Sequence, residues 1–192
     1  MKKFKSDIDI DVADREKILS IINNTPAKIY RNGKPAKHPS GVYVTDIPYD
    51  PFNETASIDY ETAEQRGYIK IDFLNMSVYQ QVRDSDHLDV LTNTEPDWDM
   101  LYNEEQCKNI VHLGNHYRSI LRMPEPVNSI PRLAMMLSVI RPSKRHLIGL
   151  KWAEVAKTVW EKPSDDSYYF KKSHAISYAM LVQVHMNLLS GI

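Results

Sequence analysis

Two short stretches of this chain alternate strictly between polar and apolar residues. The first is Ser6-Asp7-Ile8-Asp9-Ile10-Asp11-Val12 and the second Tyr68-Ile69-Lys70-Ile71-Asp72-Phe73-Leu74. Successive side chains of a strand point to opposite faces, so both stretches predict β-strands. Asp7, Asp9 and Asp11 then share one face, and Tyr68, Lys70 and Asp72 share one face of the second strand. Between them the period changes. Asp14 to Ile22 predicts a short helix with Asp14 as its N-cap and Ile18, Leu19, Ile21 and Ile22 as its buried stripe, stopped by Asn23-Asn24-Thr25-Pro26. Residues 28–40 are basic and turn-rich, with Asn32-Gly33 as a hairpin signal; 41–45 read as a strand, and 61–66 as a helical turn ended by Gly67.

Beyond the second strand the pattern becomes helical. Residues 76–90 predict a helix and 92–99 a polar loop; helices follow at 103–113, 129–140, 151–160 and 172–189, with proline-bearing joints at 124–126, 142 and 163. The expected fold class is α+β: a small β-sheet carrying an aspartate cluster, then a helical half. The expected division is 1–99, rich in strands, and 100–192, helical.

Composition adds limits. A hydrophobic fraction of 42% is that of an ordinary globular protein, and no run of 18 apolar residues predicts a membrane span. The N-terminal basic residues have no apolar segment behind them, so no secretory signal is expected, and the cytoplasm is the expected compartment. One cysteine, Cys107, excludes an internal disulfide and a cysteine-based zinc site. A net charge of -1 conceals an asymmetry: residues 1–37 hold nine Lys/Arg against five Asp/Glu, 44–105 hold three against fifteen, and 141–172 hold eight against four. Basic ends around an acidic middle suit either polyanion at the rims with cations at the centre, or simply solvated faces.

The aspartates are the first candidate chemistry. Asp9 and Asp11, roughly 6–7 Å apart at Cα, form either a charge-solubilised edge strand or half of a site for hard divalent cations. Asp72 completes a three-carboxylate set if the two alternating strands pair with their acidic faces together. Lys70 either contacts a triphosphate or pairs with an aspartate.

These segments resemble a known family. Asp7 to Val12 followed by Arg15 is similar to the Pro-Asp-x-Asp-x-Asp-Phe…Arg motif of the bacterial replicative C-family DNA polymerases, the DNA polymerase III alpha subunits. Lys37-His38-Pro39-Ser40-Gly41-Val42-Tyr43-Val44 resembles their His-Ala-Ala-Gly-Val-Val-Ile segment, and Gly67 to Leu74 their Gly-Leu-x-Lys-x-Asp-Phe-Leu-Gly motif. Ile130 to Pro142 resembles the Ala-Leu-x-Arg-Pro-Gly-Pro stretch, and Phe170-Lys171-Lys172-Ser173-His174-Ala175-Ile176-Ser177-Tyr178-Ala179 the Phe-x-Lys-Ser-His-Ala-x-x-Tyr-Ala stretch of the fingers. The five segments occur in family order. Val12 stands where the family has Phe and Asn75 where it has Gly, and the Gly-Ser nucleotide motif of the palm is missing.

The resemblance implies a much shortened, phage-encoded palm-and-fingers relative acting in DNA replication in the host cytoplasm. It implies Asp9, Asp11 and Asp72 as catalytic ligands of two Mg²⁺ ions, with Lys70, Arg141, Lys172 and His174 contacting deoxynucleoside triphosphates or DNA. Other replication proteins would be partners. Two alternatives stay open: a non-catalytic nucleic-acid or replisome-binding remnant, and a two-metal nuclease, since three carboxylates and two metals serve hydrolysis equally well.

Other residues invite weaker readings. His112 and His116 have the four-residue spacing of a helical metal pair, without the glutamate of a metalloprotease helix. Trp152, Trp160 and Tyr168-Tyr169 either stack on bases or pack a core. Arg141 either caps helix carbonyls or contacts phosphate. Ser20, Ser173 and Ser177 have no accompanying His/Asp pattern, and Cys107 reads as a small buried hydrophobe.

Overall fold

The computed structural model describes residues 8–162 and 170–192. Two compact units emerge, Met1–Gln81 and Val82–Ile192, dividing the chain ahead of the boundary expected at 99/100. The molecule is of mixed α+β class, as its alternating and helical patterns imply.

The first unit runs β1 (Ile8–Val12), α1 (Arg15–Ile21), β2 (Thr25–Arg31), β3 (Lys34–Tyr43), β4 (Tyr49–Asp50), β5 (Thr55–Ala56), α2 (Tyr60–Gln65) and β6 (Ile71–Asn75), closing on a 3-10 turn at Ser77–Gln81. Four strands form one mixed sheet in the order β1-β6-β3-β2; β4 and β5 form a separate two-stranded ribbon. The described part of the first alternating stretch, Ile8–Val12, and the later part of the second, from Ile71, are strands that pair with each other in parallel; Tyr68, Ile69 and Lys70 lie ahead of β6, outside the strand. A parallel pair needs a long crossover, and here it contains α1, the β2–β3 hairpin, the ribbon and α2. Asn32 and Gly33 sit at φ 52 and 76, the two positive values that a tight two-residue hairpin turn requires. Asp14 caps α1 by accepting from the Lys17 amide at 3.1 Å. The expected buried stripe of α1 forms only in part: Ile18, Leu19 and Ile22 are half-buried, and Ile21 is 74% exposed. Ala27, Tyr43, Ile47, Ala56 and Ala63 make the core of this unit.

The second unit is helical among its described residues: α3 (Ser85–Asn93), α4 (Glu104–Asn109), α5 (Tyr117–Leu121), α6 (Ile130–Val139), α7 (Trp152–Thr158) and α8 (Lys172–Leu189). The helix expected over 76–90 is instead the 3-10 turn and α3, separated at Asp84, which caps α3 through its contact with the His87 amide at 2.8 Å. The one expected over 103–113 ends at Asn109. α6 and α8 lie at the centre, burying Leu133, Met136, Leu137, Ala175, Ala179, Val182 and Met186. No described helix is long and apolar enough to cross a membrane.

Candidate functional site

The register of the parallel pair decides where the carboxylates fall. Asp9 lies opposite Asp72 and Asp11 opposite Leu74. Register partners of adjacent strands project to the same face, so Asp9, Asp11 and Asp72 belong to one face of the sheet. Asp7 lies outside the described residues. Tyr79 lies near Asp11; burial first, then that negative charge, raises the Tyr79 phenol above its ordinary pKa.

Asp72 is buried and already engaged. The Ser40 hydroxyl donates to its Oδ1 at 2.6 Å, and Lys70, two residues back on the same face, forms an ion pair with its Oδ2. Of the two roles open to Lys70, pairing with an aspartate is the one adopted here. His38 Nδ1 lies 3.5 Å from Asp72 Oδ1. That nitrogen also accepts the Gly41 amide at 2.9 Å, so its lone pair is in use and the ring proton belongs on Nε2. The His38–Asp72 contact is therefore not a charged bridge. Burial, and after it the positive charge of Lys70, hold the His38 pKa below its ordinary value against the opposing pull of Asp72.

A bulge brings these groups together. Lys28 pairs with Lys37 and Pro26 with Val42, so Ala27 alone on β2 faces His38, Pro39, Ser40 and Gly41 on β3. The surplus residues run directly into Gly41, which lies opposite Asp72 on β6. Gly41 is required by space: a Cβ there would stand 2.6 Å from Lys70 Cδ and 2.9 Å from His38 Nδ1. Arg15 closes the edge. Its Nη2 donates to the Ser40 carbonyl at 3.4 Å, and its amide donates to Asn75 Oδ1 at 3.3 Å, tying α1 to the end of β6. Behind the site, Tyr43 has a buried hydroxyl without a hydrogen-bond partner among the described residues. Burial, with Asp59 and Asp72 adding to it, pushes its pKa up to about 12.

The donor chemistry of Asp9, Asp11 and Asp72 suits a hard cation. Their arrangement is not a finished cage: among the described residues no three His, Cys, Asp or Glu side chains converge as a metal-holding group.

The other candidates lie in the second unit. Arg141 precedes the 3-10 turn at Pro142–Leu147, and its guanidinium lies over the Phe170 ring at 4.9 Å, its Nε buried without a hydrogen-bond partner among the described residues. Lys172 begins α8, with Nζ over the Trp160 ring at 5.9 Å, and His174 lies half-buried in the first turn. Phe170 stacks on Tyr178 and Tyr178 on His112. The helical spacing of His112 and His116 is not realised: His112 has φ 64, which interrupts any helix, and His116 ends a separate 3-10 turn. Trp152 is a core residue whose indole donates to the Glu125 and Pro126 carbonyls, and Cys107 is fully buried. Tyr168 and Tyr169 lie outside the described residues.

Fold and site thus define an α+β protein with a carboxylate–lysine face on a small mixed sheet. A scan against protein-family models, a search of curated proteins and a search of solved structures each found no match.

Alternation alone does not bring His38, Ser40 and Gly41 to Asp72. A glycine inside a strand, two residues after Pro39, is the local sign of a close backbone approach.

Proposed function

We propose that the first unit carries a nucleotidyl-transfer site acting on deoxynucleoside triphosphates and primed DNA, as the resemblance to the DNA polymerase III alpha subunits implies. The observation that supports it best is the parallel pairing of β1 with β6, with Asp9 in register with Asp72 and Lys70 on the same face. Such transfer asks little covalent chemistry of the protein; it asks for positioning and charge neutralisation. Bound Mg²⁺, held by Asp9, Asp11 and Asp72, would supply that neutralisation. Ser40 holds the Asp72 carboxylate in one orientation. Lys70 exchanges its pairing with Asp72 for the triphosphate when substrate arrives. The resemblance assigns nucleic-acid or triphosphate contacts to Arg141, Lys172 and His174 of the second unit, and on this reading DNA and other replication proteins are the partners in the host cytoplasm.

Primer extension with Mg²⁺ tests the reading. Wild-type protein extends a labelled primer, and Asp9→Ala with Asp11→Ala reduces extension by at least about a hundredfold, the scale on which loss of electrostatic stabilisation acts. Extension that survives the double substitution removes the site. A second reading is favoured by the engagement of Asp72 with Lys70 and Ser40: a protein that binds primed DNA and has lost the reaction. Its signature is binding that persists in EDTA and is indifferent to Asp72→Asn, with no extension. Degradation of labelled DNA without triphosphates would instead mark a nuclease.

A further inference from the structure

Residues 17–45 contain five Lys/Arg and no Asp/Glu, and the β2–β3 hairpin gathers four of them. The register sets like charges directly opposite each other twice, Lys28 with Lys37 and Arg31 with Lys34. Facing like charges destabilise a hairpin unless something neutralises them. Lys28 and Arg31 are three positions apart, as are Lys34 and Lys37, so the two pairs lie on opposite faces of the hairpin. The β4–β5 ribbon meets the first pair. Lys28 Nζ donates to the Ser57 carbonyl at 2.6 Å and lies 3.7 Å from Asp50, while Lys37 pairs with Glu54 at 2.7 Å. Arg31 and Lys34 are exposed at the tip, and neither has a carboxylate within pairing distance among the described residues.

The face that Arg31 and Lys34 share is the face of the carboxylates. His38 Nδ1 lies 3.5 Å from Asp72 Oδ1, the oxygen that also accepts from Ser40, so the His38 side chain is turned to the Asp72 side of the sheet. Counting back along β3 by twos from His38 reaches Ala36 and then Lys34, all on that side. Arg31, the register partner of Lys34, joins them. Electrostatics agrees with the count: burial first and Lys70 second hold the His38 pKa down, and the charge of Arg31 lowers it further. One face of the unit therefore has two zones. Asp9, Asp11 and Asp72, on β1 and β6, attract cations; Arg31 and Lys34, at the hairpin tip, attract anions.

Spacing selects among phosphate ligands. His38 and Lys34 are four positions apart on β3, about 13 Å along the strand. A nucleic-acid strand carries one phosphate per ~3.4 Å of helix axis, so about four nucleotides span that distance. A mononucleotide held by its triphosphate at the carboxylates has no second phosphate to offer the tip.

We infer that a nucleic-acid strand runs from the carboxylate face along β3 to the β2–β3 hairpin tip, where Arg31 and Lys34 hold its phosphates. The inference rests on the site of the proposed function and names the path its strand takes; it needs binding at that site, not turnover.

The test is fluorescence anisotropy of a labelled oligo-dT of about 12 nucleotides, in Mg²⁺ and in EDTA, across a salt series. Wild type binds, and more tightly in Mg²⁺. Arg31→Gln with Lys34→Gln weakens binding at least about tenfold and lowers the slope of log affinity against log salt by about 1.4, two single-strand phosphate contacts. Arg31→Lys with Lys34→Arg keeps both readouts. The Gln variant binds a fluorescent dTTP analogue in Mg²⁺ as wild type does, because a mononucleotide does not reach the tip. Lys37→Gln removes a charge from the opposite face and leaves oligonucleotide affinity within about twofold, since screening limits a charge that makes no contact. Asp9→Ala with Asp11→Ala removes the gain that Mg²⁺ gives. No binding by wild type, an equal loss from Lys37→Gln, or a Mg²⁺ gain that survives the aspartate substitutions would each overturn the inference. Absent primer extension with this binding pattern intact removes the catalytic reading alone. Extension and oligonucleotide binding both indifferent to Arg31→Gln with Lys34→Gln remove this inference alone.

Discussion

At the scale of single residues, histidine environments should make the protein's stability fall in acid. His38, His112, His116 and His185 all have pKa values held below 6.5, in each case by burial first. The role of His185 is plain, since its Nδ1 accepts the Val111 amide at 3.0 Å and must be unprotonated to do so. A depressed imidazole means that below pH 6.5 the unfolded chain binds protons the folded chain refuses. Stability is therefore complete above that value and is lost as the pH falls through it. The urea midpoint should drop between about pH 7.5 and about pH 5.5, and His112→Gln with His185→Gln should flatten the decline. A midpoint independent of pH over that interval would contradict these environments. Gly41 illustrates how much of the site was readable at this scale. The Asp9, Asp11, Asp72 and Lys70 positions follow from alternation, because period-two patterning is a local property. Ser40 and His38 reach Asp72 only because of where β3 is bulged, and a bulge is set by long-range pairing that no local pattern encodes.

At the scale of elements, α8 does more than fill a core. α3 has no basic residue in its last turn and ends on Thr94 in an extended conformation, without a glycine cap. Its final carbonyls are met instead by buried amides of α8. Gln183 Nε2 donates to the Thr92 and Thr94 carbonyls at 2.9 and 2.7 Å, and Asn187 Nδ2 donates to those of Leu91 and Thr94 at 2.8 Å each. Asn187→Leu should cost about 1–3 kcal/mol by leaving these acceptors dry, read from urea unfolding by far-UV circular dichroism. Asn187→Asp should cost more, since it sets an acceptor against acceptors; a neutral effect of both would show that water serves α3 equally well. The helical pattern located α6 and α8 within a residue or so, since their length and apolar content leave little choice. It failed over 103–113, where Ile110, Val111 and Leu113 are apolar enough to suggest continuation, but Ile110 and Leu113 bury their side chains from a turn. It also missed most of β2 and β3, whose Pro26, Pro35 and Pro39 and many lysines speak against strand on propensity alone.

At the scale of the whole molecule the two units have unequal means of holding together. The central cluster of the second contains twenty-four buried residues, dominated by Leu, Ile, Val and Met; that of the first contains five, three of them alanines. Buried apolar area sets the free energy of opening, so amides of β2, β3 and β6 should exchange with solvent through openings of lower energy than those of α6 and α8. Native-state hydrogen exchange read by mass spectrometry measures this order, and uniform protection across both units would refute it. The parallel pairing of β1 with β6 has one more consequence, in the time before the fold exists. Ile8 and its partner Ile71 are 63 positions apart, so at synthesis rates of about 5–20 residues per second the first strand waits several seconds for the second to be made. Throughout that interval Ile8, Ile10 and Val12 form a β-prone stripe with nothing to pair with. Asp9 and Asp11 on the opposite face repel one copy of the segment from another on a crowded polysome, so the charges that later face Asp72 first serve as a guard against premature assembly.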